Sequence, residues 1–427
     1  MRSTDKSFIH LFRKAAGYRG KAPGGLGKAQ HSMGEKEKIM ANFAIMGFGT
    51  VGSGVASVLR MNGDAIAERL GEPLSLKYIL DVRDLSATEY AGIAVKDFSV
   101  LENDPELDVV VESIGGAKVA LEFTRRALMA GKHVVTSNKE LVASHGRELL
   151  AIAKEKNVNY LFEASVGGGI PVLRPLFQCL AGNQIEEIVG ILNGTTNYIL
   201  TRMIRGGVPF DEALKEAQAK GYAEQNPAAD VEGLDASRKI CILSDLAWGR
   251  EVLPERISVQ GISGLNLRDV ETASKAGYQV KLLGRAVKLE DGRHCAYVAP
   301  HLVREDCPVA GVDGVFNAIM IRGNAVGDVM FYGRGAGDLP TASAVMGDVI
   351  DALQHREKRR NLGWGEGGDL ADTGELSMCW YLRGGFAVPQ GCREIGGGAV
   401  LTGPLSTKGA KALAKKLGAE TILPVLP

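Results

Sequence analysis

The sequence predicts an α/β protein whose first half forms a doubly wound parallel sheet. Short apolar segments, such as FAIM from Phe43 and LDVVVE from Leu107, alternate with longer amphipathic segments such as VALEFTRRALMAG from Val119. Strands that alternate with helices build a parallel sheet covered by helices on both faces. Beyond Pro171 the segments change to strands with period-two alternation. A second, α+β domain is therefore expected to follow the first.

The bulk composition limits the class of protein. A chain of 427 residues has room for two or three domains. Its 50 basic and 50 acidic residues cancel, so no charge surplus points to nucleic acid or to a membrane surface. The six cysteines form no C-x-x-C pair and are typical of reduced thiols in a cytoplasmic protein. No apolar run reaches the roughly 18 residues needed to cross a bilayer.

Glycine is over-represented and marks a candidate cofactor site near the start of the chain. The 55 glycines make up roughly 13% of the chain, against a usual value of about 7%. Gly47, Gly49 and Gly52 form G-x-G-x-x-G between an apolar strand and a helix. In this context the motif allows the turn, the approach of a pyrophosphate and close packing of helix on strand. It predicts a Rossmann-type dinucleotide site, the alternative being an ordinary glycine-rich turn.

The next strand leaves the choice of nucleotide open. It ends at Asp81, where an acid favours NAD by binding the ribose hydroxyl, whereas Arg83 favours NADP by binding a 2′-phosphate. Later strands end near Ser113 and Ile114, Lys139, and Glu163. Ligands of doubly wound sheets bind at the carboxyl ends of the strands. We therefore expect these side chains to outline one crevice.

The stretch Lys220–Lys239, KGYAEQNPAADVEGLDASRK, concentrates charge between apolar segments. Asp235 and Lys239 are one helical turn apart and share a face. We predict that a helix ends at Gly221, and that a second helix, with Asp230 as its N-cap, continues to Gly249. The simpler interpretation is a solvated ion pair. The apolar run after Lys239 favours burial, and buried charges are often functional.

Several motifs together resemble the homoserine dehydrogenase family. They are GFGTVG, SNKELV, EASVGGGIP, NGTTNYIL, KGYAEQNPAADVEGLDASRK and GRGAGDLPTASAV, and the resemblance spans roughly residues 41–352. It implies reversible, NAD(P)-dependent interconversion of homoserine and aspartate 4-semialdehyde. One alternative is another NAD(P)-dependent amino-acid semialdehyde oxidoreductase. A catalytically silent, cofactor-sensing protein is a second alternative, but it would not need Glu224, Asp235 and Lys239 together.

The resemblance also implies roles for individual residues. Lys239 matches the proton donor to the carbonyl oxygen, and Lys139 matches a lysine between nicotinamide and substrate. Asp235 and Glu224 match acids that hold the substrate. Four residues match a monovalent cation site, usually sodium: Glu163, Val166, Gly168 and Ile170. The candidate cofactor-binding residues are Gly47, Phe48, Gly49, Thr50, Val51, Gly52, Arg83, Ser113, Ile114, Lys139, Gly221 and Gly337.

These arguments divide the chain into five parts. Residues 1–40 are predicted to be a basic extension that is disordered or mis-called, since Met40 directly precedes a strand. A transit peptide is the alternative, but the acidic residues of this segment are unusual for one. Residues 41–172, completed by 335–352, form the nucleotide domain, and 173–334 the substrate and dimerisation domain. A flexible linker, 353–375, leads to a shortened, degenerate ACT-like module of ferredoxin-like type at 376–427. We expect a homodimer or homotetramer. The C-terminal module lacks one helix of the ferredoxin-like pattern, which puts feedback inhibition by threonine in doubt.

Overall fold

The computed structural model describes residues 40–365 and 370–427. The predicted basic extension, apart from Met40, lies outside these residues, as do Gly367 and Gly368 of the predicted linker. None of the helices in the described ranges combines the length and apolar character that a bilayer crossing requires.

The first sheet is parallel and has the strand order β3-β2-β1-β4-β5-β6. Its strands are β1 Ala41–Met46, β2 Leu74–Leu80, β3 Ala94–Val95, β4 Val109–Glu112, β5 His133–Thr136 and β6 Tyr160–Leu161. The helices of this part are α1 Thr50–Leu70, α2 Ser99–Glu102, α3 Lys118–Met129 and α4 Lys139–Lys156. Because β4 and β5 are buried along their whole length, their apolar runs show no alternation. The reversal of order between β1 and β4 gives the doubly wound crevice that the sequence predicted.

The second sheet is mixed and has the order β12-β11-β7-β9-β10-β8. Its strands are β7 Ile185–Ile191, β8 Ser258–Val259, β9 Tyr278–Lys288, β10 His294–Arg304, β11 Phe316–Gly323 and β12 Gly327–Arg334. Its helices are α5 Gly194–Gly206, α6 Phe210–Ala219, α7 Ala228–Val231, α8 Leu234–Trp248 and α9 Leu267–Lys275. Helix α8 packs on β7, β9 and β10 and is buried over most of its length. Helix α10, Asp338–Gln354, then returns to pack on α1 of the first domain.

The start of the buried helix differs from the sequence prediction. Asp230 is not an N-cap but lies inside the short helix α7. Gly233, with a φ of 82°, breaks the chain direction, and α8 begins only at Leu234. This left-handed conformation is one that glycine adopts without a steric penalty. The predicted end at Gly249 is confirmed, since Gly249 is the left-handed C-cap of α8. Helix α6 ends at Ala219 with Lys220 as its C-cap, and Gly221, with a φ of 72°, follows that cap.

The C-terminal part forms a small antiparallel sheet in the order β15-β16-β14-β18, plus the two-stranded pair β13 and β17. The elements are β13 Ser377–Met378, β14 Trp380–Arg383, β15 Arg393–Gly396, β16 Ala399–Leu401, β17 Leu405–Ser406, α11 Thr407–Leu417 and β18 Thr421–Pro424. This is the ferredoxin-like strand order, but residues 384–392 form a loop where the first crossover helix of that fold would lie. The predicted fold class, including the shortened third module, is thus confirmed.

The segment after α10 is packed rather than flexible between residues 355 and 365. Leu362 is buried, and the Trp364 ring packs edge-on against Phe162 with centroids 5.8 Å apart. Arg356 pairs with Glu72 at 2.7 Å. The glycine content of the segment suggested a flexible linker, but Arg356 and Trp364 attach this part to the first domain.

Candidate active site

A cavity of about 570 Å³ lies between the first and second sheets. Its lining includes the start of α1, the first residue of α4, the start of α5, the first turn of α8 and the turn that precedes α10. Eight of the predicted site residues line it: Thr50, Val51, Lys139, Gly168, Gly221, Asp235, Lys239 and Gly337. The cavity is therefore the place where the predicted cofactor and substrate residues meet.

The glycine turn before α1 has the features that a dinucleotide needs. A Cβ atom at Gly47 would lie 2.8 Å from the Ser113 carbonyl oxygen, and one at Gly52 would lie 2.2 Å from the Gly47 oxygen. The space around the Cβ position of Gly49 is open. Among residues 40–365 and 370–427 no side chain caps α1, and no acidic residue occupies its first turn, so its amides are left for an anion. The turn accordingly fits a pyrophosphate.

Ser113 and Ile114 support this turn from the neighbouring strand. The Ser113 hydroxyl donates to the Gly47 carbonyl at 2.6 Å, and its backbone N–H donates to Met46. The Ile114 N–H donates to the carboxylate of Glu112 at 2.7 Å. Both residues hold the edge of the crevice in shape.

Asp81 and Arg83 form one unit at the end of β2. The Phe48 N–H donates to Asp81 Oδ2 at 2.6 Å, and the Arg83 guanidinium lies 2.8 Å from the same oxygen. Hydrogen bonding to Arg83 holds the pKa of Asp81 well below its usual range, despite partial burial. The Arg83 side chain is 57% exposed. The acid is therefore occupied by protein donors, while the arginine faces solvent.

The charged centre of the cavity consists of Asp235 between two lysines. Lys239 Nζ lies 2.7 Å from Asp235 Oδ2, and Lys139 Nζ lies 2.6 Å from Oδ1. Lys239 also donates to the Leu192 carbonyl at 2.7 Å. Asp235 and Lys239 are only 4% and 7% exposed, so this is not the solvated ion pair of the simpler interpretation.

Burial and the neighbouring charges shift both pKa values. Burial lowers the pKa of Lys239 below 10.5, and the positive charge of Lys139 adds to the effect, although Asp235 opposes it. Burial alone would raise the pKa of Asp235, but the charges of Lys239 and Lys139 and the bond from Asn193 hold it well below its usual range. A lysine with a lowered pKa beside an ionised acid is suited to proton transfer.

Asn193 and Asp230 also belong to this centre, although Asp230 was predicted to be a helix N-cap. The Asn193 amide nitrogen donates to Asp230 at 2.7 Å and to Asp235 at 2.9 Å. Its oxygen accepts from the Thr196 N–H at 2.9 Å and so caps α5. Asp230 lines the cavity, whereas the predicted Glu224 is exposed and is not among the lining residues. The Asn-Gly pair that opens NGTTNYIL was the sequence feature that could have identified Asn193 as a site residue. No local sequence pattern distinguished Asp230 from Glu224 as the acid in the cavity.

The segment from Glu163 to Ile170 has oxygen atoms free for a cation. The Glu163 carboxylate accepts from the backbone N–H groups of Val172, Leu173 and Arg174 at 2.6 to 2.8 Å. The Glu163 main-chain oxygen accepts a long bond, 3.4 Å, from the Val166 N–H. The buried carbonyls of Val166, Gly168 and Ile170 accept no hydrogen bond from the described part of the chain. Such oxygens fit a hard cation.

Comparison with known proteins agrees with this arrangement. Residues 47–163 match a family model described as homoserine dehydrogenase, NAD binding domain, and residues 171–350 match one described as homoserine dehydrogenase. A homoserine dehydrogenase of Neisseria gonorrhoeae is 44% identical over 312 residues, 73% of this chain and 72% of that protein. One from Bacillus subtilis is 42% identical over 317 residues, with the same coverage. The chain belongs to the homoserine dehydrogenase family.

Solved homoserine dehydrogenases share the architecture. One from Thiobacillus denitrificans is 35% identical with a TM-score of 0.83, covering 91% of this chain and 98% of that one. A hyperthermophilic archaeal homoserine dehydrogenase in complex with NADPH is 30% identical with a TM-score of 0.62, covering 74% of this chain and 98% of that one. The predicted family, the oxidoreductase activity and the NAD(P)-binding domain are thereby confirmed, and the silent-protein alternative is excluded.

Proposed function

We propose that Lys239 moves the proton in the interconversion of homoserine and aspartate 4-semialdehyde. The observation that carries this proposal is the buried Lys239 amine, which Asp235 and the Leu192 carbonyl hold at 2.7 Å each inside the cavity. A bound nicotinamide nucleotide accepts hydride from the alcohol carbon or returns it to the aldehyde carbon. In the oxidation direction neutral Lys239 removes the hydroxyl proton. In the reduction direction the ammonium form returns a proton to the aldehyde oxygen.

Asp235 and Lys139 are proposed to orient the reactants around that proton. Asp235 fixes Lys239 through Oδ2 and Lys139 through Oδ1, and with Asp230 beside it forms an acidic surface that suits the substrate ammonium group. Lys139 is 40% exposed in its side chain and faces both the cofactor turn and the substrate acids. Glu224 stays a prediction, since its side chain lies on an exposed loop.

The cofactor is proposed to lie across the turn Gly47–Gly52, with Gly221 and Gly337 closing the cavity from the second side. The open space at Gly49 and the uncapped start of α1 support this placement. Arg83 favours NADP, because its exposed guanidinium suits a 2′-phosphate while Asp81 is already engaged by the Phe48 N–H.

A structural monovalent cation, sodium by the resemblance, is proposed to bind the main-chain oxygens of Glu163, Val166, Gly168 and Ile170. A cluster of three or more His, Cys, Asp or Glu suited to a metal is absent from residues 40–365 and 370–427. A Cβ at Gly168 would lie 2.4 Å from the Gly335 carbonyl, so this segment packs directly under the turn that lines the cavity. Cation binding here would therefore stabilise the cavity wall without entering the reaction.

We also propose a homodimer or a homotetramer in the cytoplasm. The edge strand β12 leaves Met330 and Tyr332 exposed by 40% and 54%, which suits pairing with a second copy of the chain. All six cysteines are free, as expected in a reducing compartment.

Replacing Lys239 tests the proposed function. Lys239→Met should lower kcat by a factor of about 10² or more, the typical contribution of a general acid or base, while the affinity for nucleotide stays unchanged. Lys281→Met is the matched control, because Lys281 is also fully buried and paired with a carboxylate, Asp313, at 3.2 Å. Near-normal turnover of Lys239→Met, or an equal loss in Lys281→Met, would contradict the proposal.

A further inference from the structure

Glu112 is a buried acid that the proposed chemistry does not use. It is the last residue of β4 and is 0% exposed. Its carboxylate accepts from the Ile114 N–H at 2.7 Å and from the Thr136 hydroxyl at 2.5 Å. Thr136 ends β5, the adjacent strand of the parallel sheet. The side chain of Glu112 therefore links the C-terminal ends of the neighbouring strands β4 and β5.

The bonds continue from Thr136 to the start of α4. The Asn138 N–H donates to the Thr136 hydroxyl oxygen at 2.9 Å. The Asn138 amide nitrogen donates back across the crevice to the carbonyls of Ile114 at 3.2 Å and Gly116 at 2.8 Å. Its oxygen accepts from the Leu141 N–H at 3.0 Å and caps α4. The next residue after Asn138 is Lys139, so this closed network fixes where α4 presents that lysine.

The position of Glu112 is energetically costly for a purely structural residue. A buried carboxylate without a cationic partner loses its hydration with little return. Burial raises the pKa of Glu112 to about 7, against the bonds from Thr136 and Ile114, and no other ionisable group contributes in the described ranges. Tyr160 of β6 is the titratable group that faces it; its buried hydroxyl has no hydrogen-bond partner among the described residues, and its pKa is raised, so it stays neutral.

We propose that Glu112 is a positioning residue that holds together the turn after β4 and the turn after β5. By doing so it places Lys139 against Asp235. This inference rests on the role proposed for Lys139. The carboxylate form accepts both bonds. When Glu112 is protonated, its carboxyl O–H donates to the Thr136 oxygen, which already accepts from the Asn138 N–H. The Thr136 hydroxyl hydrogen then no longer has the carboxylate as its acceptor. The locked arrangement therefore belongs to the ionised form, and it weakens as pH falls through about 7.

The test is Glu112→Gln, which keeps the size of the side chain and removes its ionisation. We expect kcat to fall about tenfold to a hundredfold, as for small displacements of reacting groups. We also expect the decline of wild-type activity on the acid side of neutrality to disappear. Asp245→Asn is the control, because Asp245 is another fully buried carboxyl with a raised pKa, and it lies near the far end of α8. It should change thermal stability but neither kcat nor the pH profile.

A second pair of variants keeps the inference testable if Glu112→Gln does not fold. Thr136→Val removes the shared hydroxyl at constant shape and should slow turnover, whereas Thr136→Ser should restore it. A wild-type kcat in Thr136→Val, or an unchanged pH profile in a folded Glu112→Gln, would overturn the inference. Lys139→Met separates the role proposed for Lys139 from the positioning role of Glu112. Normal turnover in Lys139→Met would contradict the role of Lys139. Slow turnover in Lys139→Met together with normal turnover in Glu112→Gln would contradict only the positioning role of Glu112.

Discussion

At the residue scale, the carboxyl group of Asp235 contacts three side chains. Its Oδ2 accepts hydrogen bonds from Lys239 and Asn193, its Oδ1 forms an ion pair with Lys139, and each of the three comes from a different helix or helix start. Because the group is buried, these contacts are little screened by solvent. The residue thereby fixes both lysines that the proposed chemistry needs.

Arg83 offers a test of cofactor choice at the same scale. Arg83→Ala should lower kcat/KM with NADP at least about tenfold, the usual scale of a lost charge-assisted phosphate contact, and leave kcat/KM with NAD nearly unchanged. The measurement is initial-rate kinetics with homoserine and each nucleotide separately. Arg60→Ala is the control, because Arg60 is similarly exposed, at 63% against 57%, and pairs with Glu89 on the same domain. Equal losses with NAD and NADP would argue against a 2′-phosphate contact.

At the scale of elements, the active site depends on how helices begin. The sequence was sufficient to predict that Asp235 and Lys239 share one face of a buried helix, because their spacing is local. It could not predict that Gly233 delays the start of α8, or that Asp230 instead of Glu224 reaches the cavity. The second outcome involves the contact between Asn193 at the start of α5 and Asp230 of α7, which lie 37 residues apart in the chain.

The glycine at the first turn of α1 gives an element-scale prediction. Gly52→Ala places a Cβ 2.2 Å from the Gly47 carbonyl, so the turn must shift and nucleotide affinity should fall by about tenfold or more. In Gly63→Ala of the same helix, the new Cβ has no described atom within 4 Å apart from the adjoining helix backbone, so this change should stabilise the protein by up to about 1 kcal/mol. Fluorescence titration with nucleotide and thermal unfolding measure the two effects. Unchanged affinity in Gly52→Ala would be inconsistent with a cofactor on this turn.

At the scale of the whole molecule, the shortened C-terminal module is attached to the second domain by a buried acid. Asp269 of α9 is 0% exposed and accepts from the Tyr381 hydroxyl at 2.9 Å, the Thr421 hydroxyl at 3.0 Å and the Arg383 guanidinium. The composition of the tail predicted the module and its single helix. It could not predict this attachment, nor the packing of Trp364, because both depend on residues distant in sequence.

Breaking this attachment gives a prediction for the module. Asp269→Asn removes the buried carboxylate partner of Arg383, leaves that buried charge with the exposed Glu420, and should cost about 3 kcal/mol in the free energy of unfolding. Amide hydrogen exchange should rise in β14 and β18 while the cavity residues keep their protection. Glu420→Gln is the matched control, since Glu420 contacts the same arginine but is 62% exposed, and its effect should be much smaller. Equal effects of the two variants would refute a buried attachment.

The pH dependence of the reaction in both directions tests the central claim, proton transfer by Lys239, most directly. Oxidation of homoserine needs the neutral amine, so its rate should rise with pH through the Lys239 pKa, which burial places below 10.5. Reduction of the semialdehyde needs the ammonium form, so its rate should fall through the same pKa. A contribution from Glu112 would instead change both directions alike near neutral pH. We predict that the two rates change with pH in opposite directions in the wild type and that both pH dependences disappear in Lys239→Met. A pH dependence that persists in that variant, or one that has the same direction for oxidation and reduction, would contradict the claim.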